Sequence, residues 1–161
     1  MKRIALFPGS FDPITIGHES IVRRAVGLFD EIIVSVGENS TKHGFYSMET
    51  RLEWLRLVFE DLPSVKVSTY KGLTVDYCRE IGAGFILRGL RTAADFEFER
   101  SIGQMNKKML PSIETVFLLS SPENTPISSS IVRDIIRFGG DASEFVPSKL
   151  KDLINKQSFQ L

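Results

Sequence analysis

Short runs of apolar and β-branched residues recur along the chain, with amphipathic segments between them. Residues 3–7, 31–37, 65–69, 84–88 and 114–119 read as strands; Glu31-Ile-Ile-Val-Ser-Val-Gly37 and Glu114-Thr-Val-Phe-Leu-Leu119 are the clearest runs. Residues 17–29, 48–60, 73–82, 93–110, 129–138 and 147–157 read as helices. In the second of these, Met48, Leu52, Leu55 and Phe59 recur at spacings of 4, 3 and 4, behind Ser47 as N-cap and with Glu49 in the first turn. Thr92-Ala-Ala-Asp95 has capping-box spacing. In the helix it opens, Phe98, Ile102, Met105 and Met109 form an apolar stripe that reads as facing the core. Glu99 and Asn106 border that stripe nearly in line, two turns apart, where they could line a cleft or simply mark its boundary. Strict alternation of strand and helix predicts an α/β fold: a doubly wound five-stranded parallel sheet with helices on both faces. Such sheets bind ligands at the carboxyl ends of the strands, where strand order reverses. No repeat, low-complexity tract or long linker divides the chain, so residues 1–161 read as one domain.

The candidate chemistry lies where strands end. Phe7-Pro8-Gly9-Ser10-Phe11-Asp12-Pro13-Ile14-Thr15-Ile16-Gly17-His18 joins the first strand to the first helix. Gly9 lacks a Cβ and admits close approach of a ligand to the backbone. The free N–H groups at the helix start favour an anion, and His18 can donate to a phosphate oxygen there. Lys42 lies in the polar loop Glu38-Asn-Ser-Thr-Lys42-His43-Gly44 after the second strand. Arg88-Gly89-Leu90-Arg91 follows the fourth, with two guanidiniums around a glycine that permits a sharp turn. Ile127-Ser128-Ser129-Ser130-Ile131-Val132-Arg133 follows the fifth and opens a helix with three hydroxyls. Taken singly, each cluster also has an ordinary reading as turn chemistry, surface charge or N-capping. Together they make a cationic, donor-rich site. No Ser-His-Asp or Cys-His spacing and no Walker loop is evident, which favours phosphoryl or nucleotidyl transfer by positioning and charge stabilisation.

Composition narrows the partners. Lys plus Arg and Asp plus Glu number 20 each, giving a net charge of zero and no global pull toward nucleic acid or an anionic membrane. Cys78 is the only cysteine, so an intrachain disulfide and a cysteine metal cluster are excluded; it reads as a small packed apolar group. The first apolar run stops at Pro8-Gly9, too short for a signal-peptide core, and no stretch approaches the ~20 apolar residues of a membrane span. A cytoplasmic protein is expected.

These motifs closely resemble the bacterial phosphopantetheine adenylyltransferase family. The resemblance covers almost the whole chain: Pro8-Gly9-Ser10-Phe11-Asp12-Pro13, Thr15-Ile16-Gly17-His18, Lys42, Arg88-Gly89-Leu90-Arg91, Asp95-Phe96-Glu97, Glu99, Asn106 and Ile127-Ser128-Ser129-Ser130. The Thr-x-Gly-His and Ile-Ser-Ser-Ser elements mark the wider nucleotidyltransferase superfamily. Arg-Gly-Leu-Arg with the downstream Asp-Phe-Glu narrows it to this family. The resemblance implies a Rossmann-like nucleotidyltransferase fold and transfer of an adenylyl group from ATP to 4′-phosphopantetheine. The products would be dephospho-CoA and pyrophosphate, formed by direct in-line attack with no covalent intermediate, in coenzyme A synthesis. It implies Mg²⁺ accompanying ATP and held largely by phosphate, with no metal site of the protein's own, CoA as a feedback ligand, and a homohexamer built partly from the helices after the second and third strands.

By the same resemblance, His18 would stabilise charge at the α-phosphate. Lys42 and Arg88 would hold the attacking phosphate, with Ser10 near both substrates. Ser10 and Phe11 would contact ATP. Gly89, Leu90 and Arg91 would bind the ATP end, Arg91 among the catalytic groups, and Glu99 the nucleoside. Asn124, Thr125, Pro126, Ile127, Ser128, Ser129 and Ser130 would wrap adenine and the pyrophosphate portion. Thr74 and Asn106 would line the pantetheine arm. The chain departs from the family pattern at Ser10 and Ser130, where Thr is common, at Phe98, where Tyr is common, and at Asn124, where an aromatic is frequent. Gly72 and Thr74 also alter the loop expected to touch the pantetheine arm.

Overall fold

The computed structural model describes residues 2–38 and 44–156. In chain order its regular elements are β1 (Ile4–Gly9), α1 (Ile16–Ala25), β2 (Glu31–Glu38), α2 (Met48–Phe59), β3 (Val65–Lys71), α3 (Thr74–Ile81), β4 (Phe85–Leu90), α4 (Ala93–Met109), β5 (Glu114–Leu119) and α5 (Ser129–Arg137). The five strands form one parallel sheet in the order β3-β2-β1-β4-β5, as the alternation of elements requires. The order reverses between β1 and β4. Those two strands pair only at Ala5↔Phe85 and Leu6↔Ile86, whereas β1 stays paired to β2 as far as Gly9↔Val36. Beyond residue 6 a crevice opens between β1 and β4.

Alternate residues of each strand feed opposite faces. Ala5, Phe7, Ile32, Val34, Val36 and Leu87 pack under α1, α2, α5 and the C-terminal segment; Leu6, Ile33 and Ile86 form a smaller cluster with Cys78 and Ile113. Cys78 is fully buried, and burial pushes its thiol up to about 11, as expected of a packed apolar group. α2 is capped by Ser47, whose Oγ accepts from Thr50 N–H at 3.1 Å.

Several expectations are corrected. β1 and β4 each run two residues further than their apolar runs, so Pro8-Gly9 and Gly89-Leu90 are strand and not turn. Gly89 instead packs closely against α1, where a Cβ would lie 3.1 Å from Ile21 Cγ1 and push that side chain aside. A Cβ on Gly9 would meet the Phe11 ring at 2.9 Å, so the glycine also makes room for that ring while its backbone borders both cavities. The helix expected over 147–157 is a 3-10 turn at Ser148–Leu150 followed by further turns; bonds such as Leu150 N–H to Pro147 O reach back three residues. Its apolar spacing is nevertheless used, because Leu150 and Ile154 are both fully buried in the core.

The largest correction concerns α4. Its buried residues are the polar Glu99 and Asn106. The stripe read as core-facing is exposed: Phe98 by 67%, Met105 by 56%, Met109 by 44% and Ile102 by 39%. α4 turns Glu99 and Asn106 toward the sheet and its crevice, which leaves most of the stripe uncovered.

Candidate active site

At the β1–β4 crevice two cavities meet. One, of about 360 Å³, is walled by the β1–α1 loop, the end of β4 and the start of α5. The other, of about 250 Å³, lies between β1, β4 and α4 and includes Tyr70, Thr74 and Thr115. Both are lined by Pro8, Gly9, Ser10, Arg88 and Glu99, which form their common border.

His18 is fixed by local sequence. Thr15 is the N-cap of α1, and His18 occupies the third helical position, where Glu or Gln usually completes a capping box. The Thr15 backbone N–H donates to His18 Nδ1 at 3.1 Å, with Thr15 Oγ1 3.0 Å from the same nitrogen. Because Nδ1 accepts, the neutral ring carries its proton on Nε2. The ring also packs edge-on against Phe11, with centroids 5.2 Å apart. Its pKa is lowered to about 4, first by burial and then by the charges of Arg88 and Arg91. At neutral pH, His18 is therefore an uncharged donor on the wall of the larger cavity.

Arg88 reaches from β4 across the crevice. It grips Glu99 of α4 in a fork, Nε to Oε2 at 2.8 Å and Nη2 to Oε1 at 2.5 Å, and donates from Nη1 to Pro8 O at 2.5 Å. Glu99 thus serves first as the counter-ion that aims Arg88. Arg91, just past β4, is tied to Asp95: Nε donates to Oδ2 at 3.1 Å and the Arg91 backbone N–H to the same oxygen at 3.0 Å. Thr92 Oγ1 does accept from Asp95 N–H at 3.2 Å, but the returning carboxylate serves Arg91. Capping and the site therefore share one side chain.

The three hydroxyls at α5 divide their duties. Ser128 is the N-cap, accepting from Ile131 N–H at 3.3 Å. Ser129 Oγ donates to Pro13 O at 2.8 Å, and Ser130 Oγ accepts from Arg133 Nη2 at 3.1 Å. What this end chiefly offers an anion is the first-turn backbone N–H groups and the dipole they terminate.

The larger cavity brings together Ser10, Phe11, His18, Gly89, Arg91, Glu99, Asn124, Ile127, Ser128, Ser129 and Ser130 among the residues expected to bind ATP. The smaller holds Thr74 and Asn106, expected to face the acceptor, and both hold Ser10 and Arg88. Leu90 is instead buried against the core, and Thr125 and Pro126 do not line either cavity. Lys42 lies outside the described residues. Sequence reasoning assigned no role to Thr15 or Arg133. Thr15 was legible as an N-cap three residues before a His; Arg133 stood within a quoted motif and donates from Nη1 to Asp12 O at 2.7 Å. Among the described residues no three His, Cys, Asp or Glu side chains converge as a metal site, and the two carboxylates of the larger cavity, Asp95 and Glu99, are engaged by arginines.

Comparison with known proteins gives the family and the fold. The cytidylyltransferase-like family matches residues 6–135. A phosphopantetheine adenylyltransferase of Flavobacterium psychrophilum is 52% identical over 149 residues, covering 92% of this chain and 98% of its own. That of Christiangramia forsetii is 52% identical over 151 residues, covering 94% and 99%. Among solved structures, a Vibrio parahaemolyticus protein assigned as a nicotinate-nucleotide adenylyltransferase superposes with a TM-score of 0.69 over 98% of both chains, at 18% identity, a likeness of fold alone. The chain belongs to the phosphopantetheine adenylyltransferases, a family of nucleotidyltransferases.

Proposed function

We propose that the chain transfers the adenylyl group of ATP to 4′-phosphopantetheine in the cytoplasm. The reading is carried by the meeting of two cavities at Ser10 and Arg88, beside a neutral His18 donor. ATP occupies the larger cavity, its phosphates between Arg91, His18 and the start of α5. The acceptor's pantetheine arm occupies the smaller one along Thr74 and Asn106, with its phosphate at Arg88 and Lys42. An acceptor phosphate oxygen attacks the α-phosphorus in line. The bond to the bridging oxygen of the β-phosphate breaks, and pyrophosphate leaves with the electron pair. His18 Nε2–H donates to the α-phosphate oxygen on which charge grows, and Arg91 and the α5 amides take up charge on the departing pyrophosphate. Mg²⁺ arrives as part of the ATP complex, bound to its phosphates. CoA, which combines both substrate shapes, spans the two cavities as a feedback ligand. Copies assemble into a homohexamer partly through the helices after the second and third strands, α2 and α3, and the exposed apolar face of α4 is a further surface for that assembly.

Pyrophosphate release is the test, with ATP and a panel of acceptors that includes 4′-phosphopantetheine, nicotinamide mononucleotide and a cytidylyl-type acceptor. Turnover confined to 4′-phosphopantetheine, with dephospho-CoA identified by mass, is expected. Preference for another acceptor would overturn the reading.

A further inference from the structure

The end of β1 and the loop after it, residues 8–13, form the lip between the cavities, and three of its carbonyls are held by guanidiniums of three different elements. Arg88 of β4 takes Pro8 O at 2.5 Å, Arg51 of α2 takes Ser10 O at 2.9 Å, and Arg133 of α5 takes Asp12 O at 2.7 Å. Arg88 is neutralised by Glu99, and Arg133 lines the larger cavity.

Arg51 does neither. It is only 8% exposed, has no carboxylate within ion-pair distance among the described residues, and lines neither cavity. Its Nε is buried without a hydrogen-bond partner. Its Nη2 lies where a Cβ on Gly44 would come within 3.0 Å, so the residue after the Lys42 loop rests directly on this guanidinium. Arg51 also stands in the first turn of α2, where the helix dipole disfavours a cation. For folding alone this placement is poor. A buried, unpaired guanidinium costs free energy that an apolar side chain of similar volume would not. The group is nonetheless bonded to one place, the peptide of Ser10 at the junction of the two cavities.

On the two-substrate reading above, we propose that Arg51 is a positioning residue of the transfer step. It fixes the Ser10 peptide so that the serine hydroxyl stays aimed at the junction. It touches neither substrate.

The test is steady-state kinetics of Arg51→Met, which keeps the apolar stem, and of Arg51→Lys, which keeps the charge. With Arg51→Met, kcat should fall about 10- to 100-fold, the cost of a small misplacement at the reacting centre, while KM for each substrate moves less than about threefold. Arg51→Lys should recover part of the loss. In a Ser10→Ala background the effect of Arg51→Met should shrink to under about threefold, because the group it acts through is gone. A folded Arg51→Met protein with kcat within about twofold of the unchanged one overturns the proposal, as does strict additivity with Ser10→Ala. Should Arg51→Met fail to fold, Arg51→Lys and Arg51→Gln carry the test: kcat must follow the order Arg, Lys, Gln, and equal activity per folded molecule overturns it. The unchanged protein is assayed alongside. Absence of pyrophosphate release there overturns the function itself, whereas equal release by it and by Arg51→Met overturns only the role of Arg51.

Discussion

Removal of the His18 ring tests the chemistry most directly. The ring is held at Nδ1 by the Thr15 backbone N–H, so it presents a single donor, Nε2–H, on the wall of the larger cavity. His18→Ala deletes that donor and leaves the Thr15 cap oxygen free to hold the helix N–H it already serves. Loss of one donor aimed at transition-state charge is worth about 2.7–4 kcal/mol, or 10²–10³ in kcat. ATP affinity should change little, because ground-state phosphates also meet Arg91 and the α5 amides. Ionisation gives an independent reading. The folded pKa of about 4 lies below the ordinary 6.5, so between those values the unfolded chain takes up a proton that the folded chain refuses. The stability contributed by neutral His18 is therefore complete above pH 6.5 and falls as pH drops toward about 4. By NMR, the His18 ring proton of the free protein should hold its chemical shift from pH 8 to about 5.5, and assignment is simple because the chain has only two histidines. Turnover within about tenfold of normal in a folded His18→Ala protein would refute the donor role, and a midpoint near 6.5 would refute the electrostatics.

Four further outcomes are expected. Arg88→Ala should impair use of 4′-phosphopantetheine more than ATP binding and, by orphaning the buried Glu99, should also destabilise the fold by about 3–5 kcal/mol; Arg88→Met with Glu99→Gln should restore the melting temperature but not turnover. Lys42→Ala should weaken acceptor use in the same sense, and calorimetry showing ATP binding hit hardest by either change would refute the assignment. Phe98→Glu with Met105→Glu on the exposed face of α4 should give monomers by light scattering at micromolar concentration, and an unchanged assembly would remove this face from the interface. Asn124 is buried at the rim of the larger cavity, at a position where the family resemblance leads one to expect an aromatic; Asn124→Tyr should tighten ATP binding through stacking worth about 1–3 kcal/mol and leave the acceptor's affinity unchanged, whereas weaker ATP binding in a folded variant would show that the amide already makes a contact the ring destroys.

The strands were legible because parallel strands read as apolar, β-branched-rich runs: β1, β2, β4 and β5 are nearly continuous, whereas the edge strand β3 carries Lys66, Ser68 and Thr69 and stands out by its β-branched residues. Their carboxyl ends were not, because Gly9 and Gly89 carry the local signature of turns, while a Cβ on Gly9 would meet the Phe11 ring two residues on and one on Gly89 would crowd Ile21 of α1, distant in sequence. The inversion of α4 was hidden for a related reason. Periodicity locates an apolar face but cannot say what covers it, and the seven-residue spacing of Glu99 and Asn106 was the better guide to the side facing the sheet. His18 could be placed at a helix start from the sequence; its tautomer depends on a hydrogen bond that only the folded loop shows. Arg51 was invisible, since a cation in an amphipathic helix reads as solvated until the chain buries it.

Pro8 explains why the crevice opens where it does. In a parallel strand the N–H and C=O of one residue point toward the same neighbour. The carbonyl of Pro8 faces β4 and is taken by Arg88 Nη1, so the missing N–H of the proline faces β4 as well. The last ladder pair, Leu6↔Ile86, comes two residues earlier, and β1 remains paired to β2 through Pro8↔Ser35 and Gly9↔Val36. A proline is tolerated in this central strand only because the side on which it cannot donate is the side where pairing has ended. The gap this leaves in the ladder is bridged by a guanidinium whose remaining donors grip Glu99 at the border of both cavities. One imino acid thus ends the pairing of two strands, opens the switch point of the sheet, and supplies the carbonyl that fixes Arg88 within it.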